Sequence, residues 1–291
     1  MELSNIGNIK EILGKHGFTF SKSLGQNFLV NPSVCPRMAE YSGADKGVGV
    51  IEVGPGIGVL TCELAKRADK VVSVELDKRL LPVLDETLSE FDNIKIVNDD
   101  ILKIDLNKLI ADEFEGMKVV VCANLPYYIT SPVIMKLLED KLPIKALTVM
   151  VQKEAAQRIC AEVGTRQSGA VTVAVNYYAK PQMLFGVSAG SFMPAPKVDS
   201  AVIRLDILEK PSVTVENEKL FFKIIKSAFG QRRKTLPNSL SSGLSISKTE
   251  AITAMDNANI PQNYRAEQLT MEQFASIANE MERLNNTKTK A

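Results

Sequence analysis

The chain has 291 residues, 45% hydrophobic and 24% charged, with a net charge of +1. That length suits one large α/β domain plus a smaller one, and the composition is too apolar and too nearly neutral for a disordered chain. No apolar run approaches the roughly 18–20 residues that span a bilayer, and the first thirty residues hold no signal-peptide core, so a cytoplasmic protein with no membrane partner is expected.

Ser4 or Asn5 can cap a short helix ending near Lys15, His16 and Gly17. A polar, glycine-containing segment follows from Phe20 to Leu29, then a helix from about Pro32 to Ser42. Val48–Val53 is a short apolar run, followed by Gly54-Pro55-Gly56-Ile57-Gly58 and an amphipathic stretch from Val59 to Ala68. Val71–Glu75 reads as a second strand and Arg79–Phe91 as a second helix. Ile94–Val97 is a third strand ending at Asn98-Asp99-Asp100, Lys118–Ala123 a fourth and Ala146–Val151 a fifth. Strands alternating with helices at this spacing predict βαβ units and a mainly parallel sheet. Ala170–Tyr178 has helix-compatible apolar spacing despite its valines. Met183–Val187 and Ser200–Leu208 read as two late strands paired as a hairpin across Pro194-Ala195-Pro196. Past Pro211 the β-branched runs stop, and residues 217–284 read as helical. The expected organisation is an α/β domain over 1–210, with a helical extension over 1–45, and a helical domain over 211–291.

Cys35, Cys62, Cys122 and Cys160 are scattered with no CxxC pair, and they read as reduced core thiols. His16 is the single histidine, so no metal site is expected and His16 reads as structural. Charge is uneven. From Ala201 onward Lys and Arg number 13 against 10 Asp and Glu, while the first 200 residues carry 22 against 24. Between Lys219 and Lys248 stand seven basic residues, Arg232, Arg233 and Lys234 among them, and no acid. Such a patch serves either a nucleic-acid partner or plain solubility.

In an open parallel sheet, ligands bind outside the carboxyl ends of the strands. Three polar features fall at consecutive strand ends. The glycines at Gly54, Gly56 and Gly58 permit a tight turn and close backbone approach to a ligand. Glu75, 21 residues after Gly54, can accept from both hydroxyls of a ribose, and Asp100 can accept from the exocyclic amine of an adenine. Together they outline an adenosine. A dinucleotide fingerprint would read GxGxxG, whereas here the third glycine comes one residue early, and no Walker lysine is present. The compact GxGxG form resembles the first motif of S-adenosylmethionine-dependent methyltransferases.

Asn124-Leu125-Pro126-Tyr127 follows the fourth strand at the same sheet edge. The N6 of adenine is a poor nucleophile because its lone pair is delocalised into the ring. Two acceptors on its N–H groups, the Asn124 carboxamide oxygen and the Leu125 carbonyl, would favour a pyramidal nitrogen and aim its lone pair. Pro126 excludes Leu125 from the α region and so fixes that carbonyl. Tyr127 offers a ring for the base to stack on. Catalysis of this kind is orientation and electrostatics, without a strong general base. Phe192, in the Pro-rich segment Ser191–Ser200, either closes the opposite face of a flipped base or anchors its loop.

These segments resemble the small-subunit ribosomal RNA adenine-N6,N6-dimethyltransferases, the family linked to kasugamycin sensitivity. The match runs through Lys22–Leu29, Glu52–Thr61, Val74–Asp77, Asp99-Asp100, Asn124–Tyr127, Phe192–Ser200 and Phe229–Leu240, nearly the whole chain. The resemblance implies a Rossmann-like class I methyltransferase with a seven-stranded, mainly parallel sheet and a small all-helical C-terminal domain. It implies transfer of two methyl groups from S-adenosylmethionine to each of two adjacent adenosines in the 3′-terminal hairpin loop of 16S rRNA. It also implies contact with the maturing small ribosomal subunit; nothing in the sequence suggests a dimer surface. By position the family's cofactor contacts fall on Asn27, Leu29, Gly54, Glu75, Asp100 and Asn124. One departure is Pro237, where relatives often carry a basic residue, which would weaken one backbone contact. The rivals are a macrolide-resistance methyltransferase acting on large-subunit RNA, a non-catalytic assembly factor with the same fold, and, more distantly, a nicotinamide dehydrogenase.

Overall fold

The computed structural model describes residues 3–19 and 26–289, so the stretch 20–25 of the polar segment lies outside the described residues. The chain forms two compact units. The first comprises residues 1–156 and 182–207, the second 157–181 and 208–291.

The first unit opens with α1 (Ile6–Lys15), capped by the Asn5 side chain, which accepts from the N–H groups of Gly7 and Asn8. A two-residue strand β1 (Phe28–Leu29) and helix α2 (Val34–Ser42) follow. The sheet strands then alternate with helices: β2 (Val48–Val53), α3 (Val59–Ala65), β3 (Lys70–Glu75), α4 (Leu81–Thr87), β4 (Ile94–Asn98), α5 (Leu106–Glu113), β5 (Lys118–Asn124), α6 (Thr130–Glu139) and β6 (Ile144–Gln152). The chain continues through α7 (Lys153–Ile159) and α8 (Ala170–Tyr178) to β7 (Ala179–Val187), a second two-residue strand β8 (Phe192–Met193), and β9 (Ser200–Ile207). Seven strands form one sheet in the order β4-β3-β2-β5-β6-β9-β7. From β4 to β6 the pairs are parallel, and β9 runs antiparallel to β6. The central strands are near-continuous runs of Val, Ile, Ala and Cys because both sheet faces are buried. One face packs on α2 and α3 through Met38, Ala39, Leu60 and Leu64. A second cluster joins Ile9, Ile12 and Leu13 of α1 to Leu80, Val83 and Leu84 near α4.

Several elements differ from the sequence reading. The helices after β2 and β3 end at Ala65 and Thr87, short of Ala68 and Phe91. The strand read as Met183–Val187 begins at Ala179, directly on the end of α8. Its neighbour in the sheet is β9, as the hairpin reading required. The antiparallel ribbon of β1 and β8, with Phe28 opposite Met193 and Leu29 opposite Phe192, has no counterpart in the sequence reading. His16 Nε2 lies 2.9 Å from Glu86 Oε2 and Lys15 Nζ 2.7 Å from the same atom, which ties α1 to α4.

The second unit contains α8 together with α9 (Glu218–Gly230), α10 (Leu236–Leu244), α11 (Lys248–Asn257) and α12 (Met271–Thr289). The expected single boundary at residue 210 therefore needs correction, because residues 157–181 fold with the C-terminal helices. The cause is aromatic packing. Tyr177 lies 5.0 Å from Phe221 and 5.2 Å from Phe222, and the Tyr178 hydroxyl donates to Glu218 at 2.8 Å. Pro237 sits buried in the first turn of α10, where a missing N–H costs nothing. Among the described residues no helix is long and apolar enough to cross a membrane.

Candidate active site

The strand order reverses at β2, which has β3 on one side and β5 on the other. At such a switch point the loops leave in opposite directions and open a crevice at the carboxyl ends. The loop after β2 forms its floor. Gly54, Gly56 and Gly58 all have positive φ, at 68°, 61° and 91°. At Gly56 the need for glycine is twofold: a Cβ there would be strained and would lie 3.2 Å from the Phe28 ring. Its N–H points to Glu75 Oε2 at 3.4 Å.

Glu75 ends β3 and is only 6% exposed. Its Oε1 accepts from the Asp77 N–H at 2.7 Å, yet burial pushes its carboxyl up to about 7. Glu52 lies one strand over and two residues deeper, buried, accepting from the Ser73 hydroxyl at 2.7 Å; burial also pushes it up to about 7. Leu76, directly after Glu75, is a large apolar side chain 51% exposed on the cavity wall. Asn98 fixes that turn by donating to the Glu75 carbonyl at 2.7 Å. Asp100 lines the same cavity; its Oδ1 accepts from the Leu102 N–H at 3.0 Å and its Oδ2 lies 3.5 Å from Lys103 Nζ.

Across the crevice, β5 ends at Asn124. Leu125 is buried, and its N–H donates to the Met150 carbonyl at 3.3 Å. Among the described residues no hydrogen bond engages the Asn124 carboxamide or the Leu125 carbonyl. Pro126 opens a 3-10 turn, Tyr127–Ile129, and its carbonyl accepts from the Ile129 N–H at 3.2 Å. Tyr127 is half-buried with its hydroxyl 2.8 Å from Ser200 Oγ, and burial raises its phenol above the ordinary range.

Asn27 and Leu29 line the cavity from the N-terminal side, and Phe192 from the ribbon strand opposite Leu29. Phe192 is 5% exposed and packs with Leu29, Cys35 and Met38. It is thus a core anchor of its loop whose remaining surface borders the cavity. The ribbon is reinforced where the Val30 N–H donates to the Ser191 carbonyl at 2.9 Å. The structure therefore gathers Asn27, Leu29, Gly54, Glu75, Asp100, Asn124, Leu125, Pro126, Tyr127 and Phe192 around one cavity. Sequence reasoning missed Leu76 and Tyr128, which is 55% exposed at the cavity edge. Both are apolar residues one position past a polar site residue, a signal that was available.

The basic residues belong to the second unit and divide in role. Arg232 donates to the Arg166 carbonyl at 2.9 Å and the Ser168 carbonyl at 3.4 Å, and pairs with Glu267 at 3.2 Å. It fastens the 166–168 loop while remaining 44% exposed. Arg233 and Lys234 are exposed.

A family profile described as "Ribosomal RNA adenine dimethylase" matches residues 17–283. The ribosomal RNA small subunit methyltransferase A of Alkaliphilus oremlandii is 49% identical over 280 residues, covering 96% of this chain and 98% of that protein. The protein of the same name from Geobacillus thermodenitrificans is 47% identical over 282 residues, covering 96% of each. Among solved structures, a dimethyladenosine transferase from Plasmodium falciparum matches with a TM-score of 0.73 at 24% identity, over 89% of this chain and 98% of that one. The 23S rRNA methyltransferase ErmE matches with a TM-score of 0.66 at 27% identity, over 88% and 100%. The fold is that of the Rossmann-like class I methyltransferases.

Proposed function

The chain belongs to the ribosomal RNA adenine dimethylase family, and from that membership and the cavity at the switch point we propose how it works as an S-adenosylmethionine-dependent rRNA adenine-N6,N6-dimethyltransferase. Its substrate is 16S rRNA in the maturing small subunit, and it methylates two adjacent adenosines of the 3′-terminal hairpin loop.

The cavity suits an adenosyl cofactor on its own chemistry. A buried carboxylate with raised proton affinity gains most from a neutral diol, whose two hydroxyls stabilise its charge without adding another. The exposed apolar surface of Leu76 beside it fits a purine face. Glu75 would hold the ribose, Asp100 the adenine amine, and the loop at Gly54 the amino-acid end, with Asn27, Leu29 and Asn124 completing the contacts. When bound, S-adenosylmethionine supplies a methyl group on a positively charged sulfur.

The chain's own part is to present the target amine. The Asn124 carboxamide oxygen and the Leu125 carbonyl each accept one N6 hydrogen, which localises the lone pair on nitrogen. Tyr127 stacks on the adenine, and the Phe192 edge bounds the pocket behind it. As N6 gains a methyl group it loses one proton to water, so no ionisable base is needed. The second methylation repeats this with one acceptor fewer engaged.

The observation that carries the reading is the meeting of Gly54, Glu75 and Asn124 at adjacent strand ends, with the Asn124 carboxamide and Leu125 carbonyl unengaged among the described residues. The test incubates purified protein with labelled S-adenosylmethionine and, in parallel, immature small subunits or 23S rRNA, then applies nucleoside mass spectrometry and primer extension to each RNA. N6,N6-dimethyladenosine at two neighbouring positions of 16S rRNA is expected. Modification of 23S rRNA instead, or no transfer at all, would overturn it.

A further inference from the structure

One buried carboxylate fastens the turn after Glu75 to the segment that carries Asn27. The Asp77 side chain is 5% exposed. Its Oδ2 accepts from Arg79 Nη2 at 2.7 Å and from Gln26 Nε2 at 2.8 Å. Its Oδ1 accepts from Arg79 Nε at 2.8 Å and from the Arg79 N–H at 3.1 Å. The guanidinium fork thus occupies both oxygens, and a remaining lone pair takes Gln26. Through its backbone the same residue donates to Glu75 Oε1 at 2.7 Å. Arg79 also reaches the N-terminal side, with its guanidinium 5.1 Å from the Phe18 ring.

An aspartate that only capped its own turn would be satisfied by the Arg79 N–H. Here it is buried with a charged partner and also holds a side chain 51 positions earlier in the chain. Gln26 immediately precedes Asn27, and both line the cavity. We propose that Asp77 is a positioning residue for cofactor binding, aiming the Glu75 carboxylate through its backbone and holding the Gln26-Asn27 segment beside it through its side chain. The pairing with Arg79 keeps Asp77 ionised, below the ordinary carboxylate range, as this role needs.

The proposal rests on the reading of Glu75 and Asn27 as cofactor contacts. The experiment uses the full-length protein and compares Gln26→Ala, Asp77→Asn and the double variant. S-adenosylmethionine affinity is measured by calorimetry, KM and kcat by methyl transfer, and stability by thermal melting. Each single variant should raise Kd and KM for S-adenosylmethionine by about tenfold, the scale found when a residue orienting a ligand group from behind is removed. At saturating cofactor, kcat should fall less than about threefold, because the acceptors for N6 are untouched. The double variant should bind no worse than the weaker single one, since both changes cut the same link. Unchanged affinity in Gln26→Ala would overturn the proposal, even if Asp77→Asn fails to fold. So would multiplying effects, or a lowered melting temperature with unaltered Kd. Wild-type protein that binds no S-adenosylmethionine would overturn the cofactor reading itself, and the proposal with it.

Discussion

The hydroxyl of Tyr127 lies 2.8 Å from that of Ser200, joining the turn after β5 to the first residue of β9. The bond fixes the plane of the ring that the proposed function assigns to stacking on the target base. Tyr127→Phe keeps the ring and should cost about 1 kcal/mol of stability with little loss of activity. Tyr127→Ala removes the platform and should raise KM for RNA by roughly tenfold or more, given stacking energies of about 1–3 kcal/mol. Melting curves and steady-state kinetics on both variants check this.

Asn124→Ala should separate chemistry from binding. Loss of a preorganised acceptor costs about 2–4 kcal/mol in barrier, judged by the oxyanion-hole donors. Single-turnover rates should therefore fall by roughly two orders of magnitude while the Kd for S-adenosylmethionine changes far less. Equal losses in rate and affinity would make Asn124 a cofactor ligand only.

Cofactor affinity should depend on pH through Glu75. Burial pushes its carboxyl up to about 7, so the ionised form prevails only above that pH. Accepting from two hydroxyls needs the ionised form, hence binding expels a proton. Affinity should be full above pH 7 and fall as the pH drops, by up to about tenfold per unit well below. Calorimetry in buffers of different ionisation enthalpy reads the proton release. Glu75→Gln should bind weakly and without this pH dependence.

Glu52 should set a pH dependence of stability. Burial raises its carboxyl to about 7 in the folded chain from an ordinary 4.5. The folded state therefore binds the proton more tightly than the unfolded one. This contribution is complete below about pH 4.5 and is lost as pH rises through 7, at a cost of about 3 kcal/mol. Glu52→Gln keeps an acceptor for Ser73 without the charge. It should melt higher than wild type at pH 8, and the difference should close as the pH falls toward 5.

Replacing Arg233 and Lys234 with alanine should weaken RNA binding and flatten its dependence on log salt by about one to two units. Arg232→Ala should instead destabilise the protein, because the Arg166 and Ser168 carbonyls and Glu267 lose their shared donor. Filter binding across a potassium chloride series, with melting temperatures, tells the two effects apart.

Much of the architecture was legible from residues 48–151. Apolar β-branched runs such as Val71–Val74, punctuated by glycine and acidic strand ends, determine a parallel sheet almost by themselves, and with it the convergence of Gly54, Glu75 and Asn124. The ribbon of Phe28-Leu29 with Phe192-Met193 was not legible, since two residues carry no periodicity and the partners are far apart in sequence. The membership of α8 in the second unit was hidden likewise. Its Val-rich surface reads as core, but which core depends on Phe221 and Phe222, more than forty residues later. The carbonyl partners of Arg232 were not legible either, because a run of positive charge does not reveal which guanidinium bonds its own chain.

Because residues 157–181 leave the sheet, join the C-terminal helices and return, the second unit is not a tail added to the first. A fragment stopping at residue 207 would keep α8 but strip it of α9, leaving Tyr177 and Tyr178 to face solvent and inviting aggregation. Exchanging the helical unit between relatives would accordingly require three matched junctions, near 156, 181 and 207, where a simple graft would use one.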